Sequence, residues 1–279
     1  MKESAYQAYL RSQNFNDESI AQIDLVKHYL LIGQFNHGLS HSTAWMLHRK
    51  NREIAWKTLQ KQSRDPNLVS IVIPGYNEIE LTEQCLKPIA LNTFGVRYEI
   101  ILVDNGSTEE IKQALVALIE RYNNAHLLRF EKNWNFALGC NFGFAKAKGQ
   151  TVVFLNNDTQ VQPNWLKPLV ETLHHNPVFA AQSLLLYPDQ TIQCMGVVFS
   201  EQSTLGYPIY QGLTQRAAKA EAPRIFQAIT GACFAIQTES FAEHEGFDPI
   251  YINGQEDIDL CLRVGQATNQ KRTMYQRVS

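Results

Sequence analysis

Three apolar runs of this 279-residue sequence end abruptly in amides, carboxylates and turn-forming residues. The polar stretches that follow the runs are residues 74–78, 104–107 and 156–158. Amide and carboxylate side chains are costly to bury unless a partner compensates them. A divalent cation that bridges a diphosphate is such a partner, because hard oxygen ligands such as Asp158 suit Mg²⁺ or Mn²⁺. The pattern therefore indicates a site for a metal-bound, phosphorylated ligand.

The three apolar runs are predicted to be strands of one sheet. Residues 68–74 and 99–105 read as strands around a helix at 80–91, and the S-x-x-E capping box at 107–110 predicts the start of a second helix. A short strand at 126–130, a helix ending at Gly149 and a strand from Val152 complete the series. Alternating strands and helices predict an α/β fold with a mostly parallel sheet and helices on both faces. Ligands bind outside the carboxyl ends of such strands, so the three polar stretches would share one edge.

Each polar stretch also has a purely structural explanation. Asn, Asp and Gly form turns, and Ser107 is placed to cap a helix. The coincidence of three such stretches at one edge favours a site over three unrelated turns. No glycine-rich phosphate loop follows the first strand, neither G-x-G-x-x-G nor a Walker motif. A nucleotide bound at this edge would therefore depend on the cation.

The first 65 residues are predicted to form a helical N-terminal extension, followed by an α/β domain at 66–279. Their nine Lys and Arg against six Asp and Glu give a charge of +3, which leaves −5 for the remainder. Residues 45–64 are predicted as one basic amphipathic helix with Leu47, Ile54, Ala55 and Leu59 on one face. Such a helix can lie on an anionic membrane surface or pack on its own domain, and we favour the packing.

The composition excludes several classes of protein. A net charge of −2 argues against nucleic-acid binding, and no apolar run approaches the roughly 20 residues of a membrane span. The N-terminus lacks the apolar core of a signal peptide, and the five cysteines are scattered without metal-ligand spacing. These features predict a cytoplasmic protein with reduced thiols, with peripheral association at the inner face of the cell membrane as the one membrane role left open.

From about residue 69 to 263 the sequence resembles family 2 of the glycosyltransferases, which have the GT-A fold. The matching motifs are VSIVIPGYNE, ILVDNGST, N-x-x-F-A-x-G-x-N-x-G at 133–143, LNND, TGAC at 230–233, GFDP at 246–249 and QEDIDLCLR at 255–263. The sequence is most similar to bacterial rhamnosyl- and related transferases of surface-polysaccharide synthesis. This resemblance implies inverting transfer of a sugar from a nucleoside-diphosphate sugar, UDP- or TDP-linked, to a glycan or lipid-linked acceptor.

The resemblance also implies roles for individual residues of the donor site. Asp104 matches the carboxylate that binds the base, and Asp158 matches the last position of the DXD-type signature, which touches metal and ribose. The first position of that signature is the neutral Asn156, a departure that weakens the expected metal site. The other residues that match donor-side positions are Pro74, Tyr76, Glu78, Asn105, Asn133 and Asn157. In the same stretch, Asn135 and Leu138 stand where glycine is usual, so the donor-side geometry is expected to differ.

Glu256 and Asp257 match the ED signature of the family, with Asp257 as the catalytic base. Inversion needs one carboxylate to take the acceptor proton as that oxygen attacks. Without the resemblance, residues 255–263 read as a helix start with acidic residues placed favourably on the helix dipole. Arg263 is then either a solvated helix residue or a phosphate contact.

Two alternatives to a transferase remain open on the sequence. One is a catalytically silent module that binds sugar nucleotide or polysaccharide and assists a partner enzyme. Only 16 residues follow Arg263 and no histidine follows His244, so we expect either a truncated domain or an incomplete site. Another alternative is a nucleotidyltransferase on a similar sheet, but the glycine-rich basic loop it needs after the first strand is absent.

Overall fold

The structure, a computed structural model, describes residues 41–175, 178–200, 203–218, 220, 223–251, 254–268 and 273–276. The helices are α1 (His41–Asn51), α2 (Trp56–Gln60), α3 (Ile79–Asn92), α4 (Glu109–Ile119), α5 (Phe136–Phe144), α6 (Leu166–His175), α7 (Thr238–Glu243) and α8 (Glu256–Thr268). The strands are β1 (Asp65–Gly75), β2 (Arg97–Asp104), β3 (Ala125–Arg129), β4 (Gly149–Leu155), β5 (Ala180–Ser183), β6 (Leu185–Leu186), β7 (Ile192–Cys194), β8 (Val197–Ser200), β9 (Ser203–Pro208), β10 (Arg224–Phe226), β11 (Cys233–Gln237) and β12 (Thr273–Gln276).

The central sheet has the strand order β10-β12-β5-β11-β4-β1-β2-β3. β1 lies parallel to β2 and β4, β2 lies parallel to β3, and β11 runs antiparallel between β4 and β5. Gly75 of β1 pairs with Asp104 of β2, which pairs in turn with Arg129 of β3. The carboxyl ends of these strands therefore lie side by side. The prediction of a mostly parallel sheet whose polar strand ends share one edge is confirmed.

The apolar runs are buried because helices cover the sheet. Residues 71–73, 100–103 and 152–155 are all 2% exposed or less, as expected for parallel strands covered on both faces. On one face, α5 packs directly on β1 and β2, since a Cβ added at Gly143 would lie 2.4 Å from Val72 Cγ1. This contact places the start of α5 next to the carboxyl ends of both strands.

The segment before β1 packs on the domain. Residues 45–64 do not form one helix, as the sequence predicted, but two short ones, α1 and α2, separated by residues 52–55. The break allows Ile54, Trp56 and Leu59 to enter the core, and the Trp56 ring stacks on Phe144 at 5.8 Å between ring centroids. Of the two alternatives for this segment, the structure therefore shows the packing.

Residues 1–40 of the predicted helical extension lie outside the described residues, and the boundary at residue 65 stays a prediction. Among the residues that the structure describes, no helix is long and apolar enough to cross a membrane.

Two predicted helix ends are wrong. The capping box at 107–110 does not form, because Thr108 is the N-cap residue of α4 while Ser107 Oγ accepts a hydrogen bond from the Asn77 N–H at 2.8 Å. The helix predicted to end at Gly149 ends at Phe144, and Gly149 begins β4. A Cβ at Gly149 would lie 2.3 Å from the Leu68 carbonyl oxygen, so the glycine permits β4 to begin close against β1.

Candidate active site

The turn after β1 joins the first two strand ends. Asn77 adopts a φ of 59°, which turns its backbone N–H towards Ser107 Oγ, while its side-chain oxygen accepts the Thr108 N–H at 2.9 Å. Pro74 is buried beneath this turn, and Tyr76 and Glu78 are exposed along it. The 45% exposed Tyr76 ring and the Glu78 carboxylate are therefore accessible at the edge to which the sequence assigned them.

Asp104 at the end of β2 is ion-paired with Arg129 at the end of β3. The Asp104 carboxylate is 1% exposed, accepts the Ser107 N–H at 2.9 Å on Oδ1, and binds Arg129 Nη1 through Oδ2. Arg129 also donates to the Ser107 carbonyl at 3.0 Å. Sequence reasoning missed Arg129, although its position as the basic residue ending the short strand at the same edge is a signal that could have found it.

Asn105 positions the loop before α5. Its side-chain nitrogen donates to Asn133 Oδ1 at 3.1 Å and to the Asn135 carbonyl at 2.9 Å, and its oxygen accepts the Trp134 N–H at 3.1 Å. These bonds use the polar atoms of the buried Asn105 side chain. The structure places Asn105 and Asn133 in contact, with Asn133 exposed and Asn105 holding it in place.

Asn135 stands where the family usually has glycine, and its conformation and contacts show how an asparagine is accommodated there. Its φ of 108° belongs to the region that favours glycine, and its side-chain oxygen caps α5 by accepting the Leu138 N–H at 3.0 Å. Its side-chain nitrogen donates to the carbonyls of Pro249 at 2.8 Å and Tyr251 at 3.1 Å. One side chain therefore connects the donor-side loop to the loop that leads into α8.

The polar residues after β4 occupy different environments. The Asn156 N–H donates to the Ala232 carbonyl at 3.0 Å, but its side-chain Oδ1 is a buried atom without a hydrogen-bond partner. Asn157 donates to Thr82 Oγ1 at 3.3 Å and so supports the β1 turn, while the Asp158 carboxylate is exposed. Asp158 and the free oxygen of Asn156 thus present two hard oxygen donors.

This donor set is compatible with a divalent cation. Magnesium is commonly bound in proteins by one or two carboxylates together with substrate phosphates and water, rather than by a cage of protein ligands. Within the described ranges, the chain contains no group of three or more His, Cys, Asp or Glu placed to hold a metal. Asp158 and Asn156 therefore fit a cation that arrives with a diphosphate rather than a resident structural metal.

Glu256 and Asp257 are the first two residues of α8. Asp257 Oδ2 accepts the Gly231 N–H at 2.5 Å, and Oδ1 accepts the Ile258 N–H at 2.7 Å. Glu256 is 5% exposed and accepts the Gly254 N–H at 2.9 Å. Since Gly231 precedes the Ala232 that binds Asn156, the short segment at 230–232 joins the predicted base to the predicted metal-side residues.

Burial raises the pKa of both carboxyl groups. The neighbouring interactions that add to or oppose this effect differ between the two. The pKa of Glu256 is raised first by burial and further by the neighbouring Asp257 charge. The raised pKa of Asp257 is opposed by hydrogen bonds from Gly231, Ile258 and Thr230, which favour its ionised form. These hydrogen bonds favour the ionised form of Asp257, the form that can accept a proton, while burial favours the protonated form of Glu256.

The remaining acidic residue of α8, Asp259, is structural. Its buried carboxylate binds Arg263 Nε at 2.6 Å, and Arg263 also donates to the carbonyls of His244 at 2.7 Å and Gly246 at 2.8 Å. Arg263 is therefore neither of the alternatives considered from the sequence, a solvated residue or a phosphate contact. It clamps the turn after α7 onto α8.

The parallel half-sheet with polar strand ends, followed by an antiparallel strand and the Glu256–Asp257 pair at the start of α8, has the architecture of the GT-A fold. Residues 70–244 match the model of Glycosyl transferase family 2, which is more than half of the chain. The chain therefore belongs to glycosyl transferase family 2, and the resemblance noted in the sequence is confirmed.

Curated relatives and a solved structure agree with this assignment. The chain is 28% identical over 203 residues to the O-antigen biosynthesis protein RfbC of Myxococcus xanthus, covering 70% of this chain and 16% of that protein. It is 36% identical over 106 residues to an undecaprenyl-phosphate 4-deoxy-4-formamido-L-arabinose transferase of Pseudomonas fluorescens (strain SBW25), covering 37% of this chain and 31% of the relative. A crystal structure of GalNAc-T7 with UDP, GalNAc and Mn²⁺ superposes with a TM-score of 0.61 and 22% identity, covering 76% of this chain and 43% of that one.

Proposed function

We propose that this chain is an inverting glycosyltransferase that moves a sugar from a nucleoside-diphosphate sugar to a hydroxyl group of a glycan or lipid-linked acceptor. The observation that carries the proposal is the link through residues 230–232, which joins Asp257 to the end of β4 where Asn156 and Asp158 lie. A base beside the group that holds the leaving diphosphate is what single-displacement sugar transfer requires. The RfbC relative, an O-antigen biosynthesis protein, supports a role in cell-surface polysaccharide synthesis. The location proposed for this role is the cytoplasm, including the inner face of the cell membrane.

The donor is held along the aligned strand ends. Asp104 and Arg129 form a fixed polar pair that recognises the base, with the exposed Tyr76 ring and Glu78 beside it. Asn105 and Asn133 set the loop on the other side of the nucleotide. UDP- or TDP-linked donors are the proposed class, as the family resemblance implies. The UDP in the GalNAc-T7 structure is consistent with the first of these.

Asp158 and Asn156 Oδ1 are the residues that would hold a divalent cation. When bound, Mg²⁺ or Mn²⁺ supplies positive charge to the departing diphosphate. Asp257 takes the proton of the acceptor hydroxyl while the acceptor oxygen bonds to the anomeric carbon and the bond from that carbon to the diphosphate oxygen breaks. Attack from the face opposite the leaving group inverts the anomeric configuration. The raised pKa of Glu256 favours its protonated form, so Asp257 is the residue proposed as the base.

Binding and turnover measurements test this function. Calorimetry with UDP, TDP and GDP, with and without Mn²⁺, should show metal-strengthened binding of at least one nucleotide. Incubation with the corresponding sugar nucleotides should then release free nucleoside diphosphate by hydrolysis. Binding without any hydrolysis or transfer would instead favour the catalytically silent module, and no binding of any nucleotide would refute the donor site altogether.

A further inference from the structure

A cleft of about 560 Å³ opens beside the end of β4. It lies between the loop that follows Asp158 and the hairpin of β6 and β7, and its volume falls in the range of about 300–1,000 Å³ typical of small-ligand sites. Asn156, Asp158 and Ala232 line one end of the cleft. The cleft is therefore continuous with the edge assigned to the donor diphosphate, and Ala232 adjoins the Gly231 that binds Asp257.

Amide side chains dominate the polar lining of the cleft. Five glutamines contribute to it, namely Gln160, Gln162, Gln190, Gln193 and Gln215. Within the part of the chain that the structure describes, none of their side-chain amides is engaged in a hydrogen bond. Each amide offers two donors and an acceptor, which is the combination that matches sugar hydroxyl groups, since these both donate and accept.

The charge of the lining excludes some ligands. Among the described residues that line the cleft, Asp158 is the one charged side chain, and no Lys or Arg is present. Away from the Asp158 end, which is assigned to the cation and the donor diphosphate, a phosphate or carboxylate in the cleft would lose hydration without gaining a cationic partner, which is strongly unfavourable. Apolar surface is available from Leu184, Leu186 and the half-buried Tyr187 ring for the C–H faces of a sugar.

We propose that this cleft binds the acceptor and that the bound part of the acceptor is an uncharged saccharide. The inference rests on the proposed function, because it takes Asp257 and the β4 end as the reaction centre. It narrows the acceptor class: a phosphate group, where the acceptor carries one, stays outside the cleft while neutral sugar rings are held by the glutamine amides.

The test uses the full chain and a panel of short oligosaccharides. Neutral members built from hexoses, deoxyhexoses and N-acetylhexosamines are compared with matched members that carry a uronic acid or a terminal phosphate. Each is titrated with and without UDP and Mn²⁺, and the ¹⁵N signals of the glutamine side-chain amides are followed. Gln160→Leu and Gln193→Leu are the test variants, and Gln84→Leu, the same change on the exposed surface of α3, is the control.

We expect neutral members to shift the Gln160 and Gln193 amide signals. Each test variant should bind them about tenfold more weakly, because a leucine side chain of similar size can neither donate to nor accept from a sugar hydroxyl, while the control should bind as the wild type does. Tighter binding of anionic members, unchanged affinity in both test variants, or shifts caused by sugar nucleotides and by no oligosaccharide would each overturn the proposal. Failure of the donor site is a separate result, since it removes UDP binding while titrations without nucleotide still report on the cleft.

Discussion

The Gly231 N–H donates to Asp257 Oδ2 at 2.5 Å, and this bond fixes the candidate base against the segment that borders the end of β4. The next residue of that segment, Ala232, accepts the Asn156 N–H at 3.0 Å. Two consecutive residues therefore hold the base and the metal-side strand end in one arrangement. Such a fixed geometry is what converts bound donor and acceptor into a reactive pair.

The first prediction concerns the two oxygen donors after β4. Asp158→Asn should weaken metal-dependent nucleotide binding by tenfold or more, roughly the effect of losing one charged hydrogen-bonding or coordinating group. Asn156→Asp should strengthen it, because a carboxylate would replace the unpartnered amide oxygen. Calorimetry with UDP or TDP, at several Mn²⁺ concentrations, measures both effects. Equal nucleotide affinity in the two variants at every metal concentration would contradict this assignment.

The second prediction concerns Asn135 as a positioning residue. Asn135→Gly preserves the freedom to adopt a φ of 108° but removes the bonds to the carbonyls of Pro249 and Tyr251. We expect the unfolding free energy to fall by about 2 kcal/mol, because buried carbonyls lose their donor, and turnover to fall about tenfold or more with nucleotide affinity nearly unchanged. The control is Asn164→Gly, another asparagine with positive φ (61°), which is exposed. If both variants lose turnover equally, Asn135 has no special positioning role.

The Asn135 contacts illustrate where sequence reasoning reached its limit. The strands and the polar residues at their ends, including Asp104 and Asp158, followed from local patterns, because apolar runs and strand-end chemistry are local properties. The role of Asp257 came from the family resemblance, since its local pattern is that of an ordinary helix start. The contacts that assemble the site join residues far apart in the chain, such as the 114 positions between Asn135 and Pro249. Periodicity carries no information on such pairings.

Tertiary contacts also explain why the sequence predictions for Ser107 and Arg263 differ from the structure. Ser107 was expected to cap its own helix, but the spatially adjacent Asn77 N–H takes its hydroxyl oxygen. Arg263 was expected to be a solvated helix residue or a phosphate contact, but it binds the buried Asp259 and donates to the carbonyl of His244 in the turn after α7. In each case a contact with a residue distant in the sequence determines the environment of the side chain.

The third prediction concerns pH and the Glu256–Asp257 pair. The pKa of Glu256 is raised in the folded protein, mainly by burial, so the folded state binds its proton more tightly than the unfolded chain does. This contribution to stability is fully present below about pH 4.3, the ordinary pKa of glutamate, and is lost as pH rises towards the raised pKa of the folded state. Glu256→Gln should therefore flatten the fall in unfolding free energy on the alkaline side.

Denaturant unfolding of wild type and variant between pH 4 and pH 9 provides this measurement. Glu53→Gln, on the exposed surface after α1, is the matched control and should leave the pH profile as it is. A profile for Glu256→Gln that runs parallel to that of the wild type would show that Glu256 does not hold a proton in the folded state.

The fourth prediction concerns the segment before β1. A chain that begins at Asp65 lacks Ile54, Trp56 and Leu59, which are buried in the core, and should lose several kcal/mol of unfolding free energy. A chain that begins at His41 retains these contacts and should keep its nucleotide affinity. Trp56→Ala alone should cost about 3–5 kcal/mol, measured by denaturant unfolding. Unchanged stability in the chain from Asp65 would show that the packing of α2 contributes nothing.

The contrast between Asp257 and Asp259 separates catalysis from stability. Asp259→Asn should weaken the bond to Arg263 and lower the unfolding free energy, with the rate per folded molecule largely retained. Asp257→Asn should have the opposite signature, because the side chain keeps its size but can no longer take a proton. Thermal unfolding and active-site titration with nucleotide distinguish the two patterns. A greater loss of rate in Asp259→Asn would mean that the base is misassigned.

The most direct test of the account is the rate at which nucleoside diphosphate is released from the sugar donor by wild type and by Asp257→Asn, at equal nucleotide occupancy. A general base contributes about 10²- to 10⁴-fold in rate. We predict a loss within that range in Asp257→Asn, with the affinity for UDP or TDP in the presence of Mn²⁺ unchanged. Retention of most of the wild-type rate by Asp257→Asn would contradict the proposed mechanism.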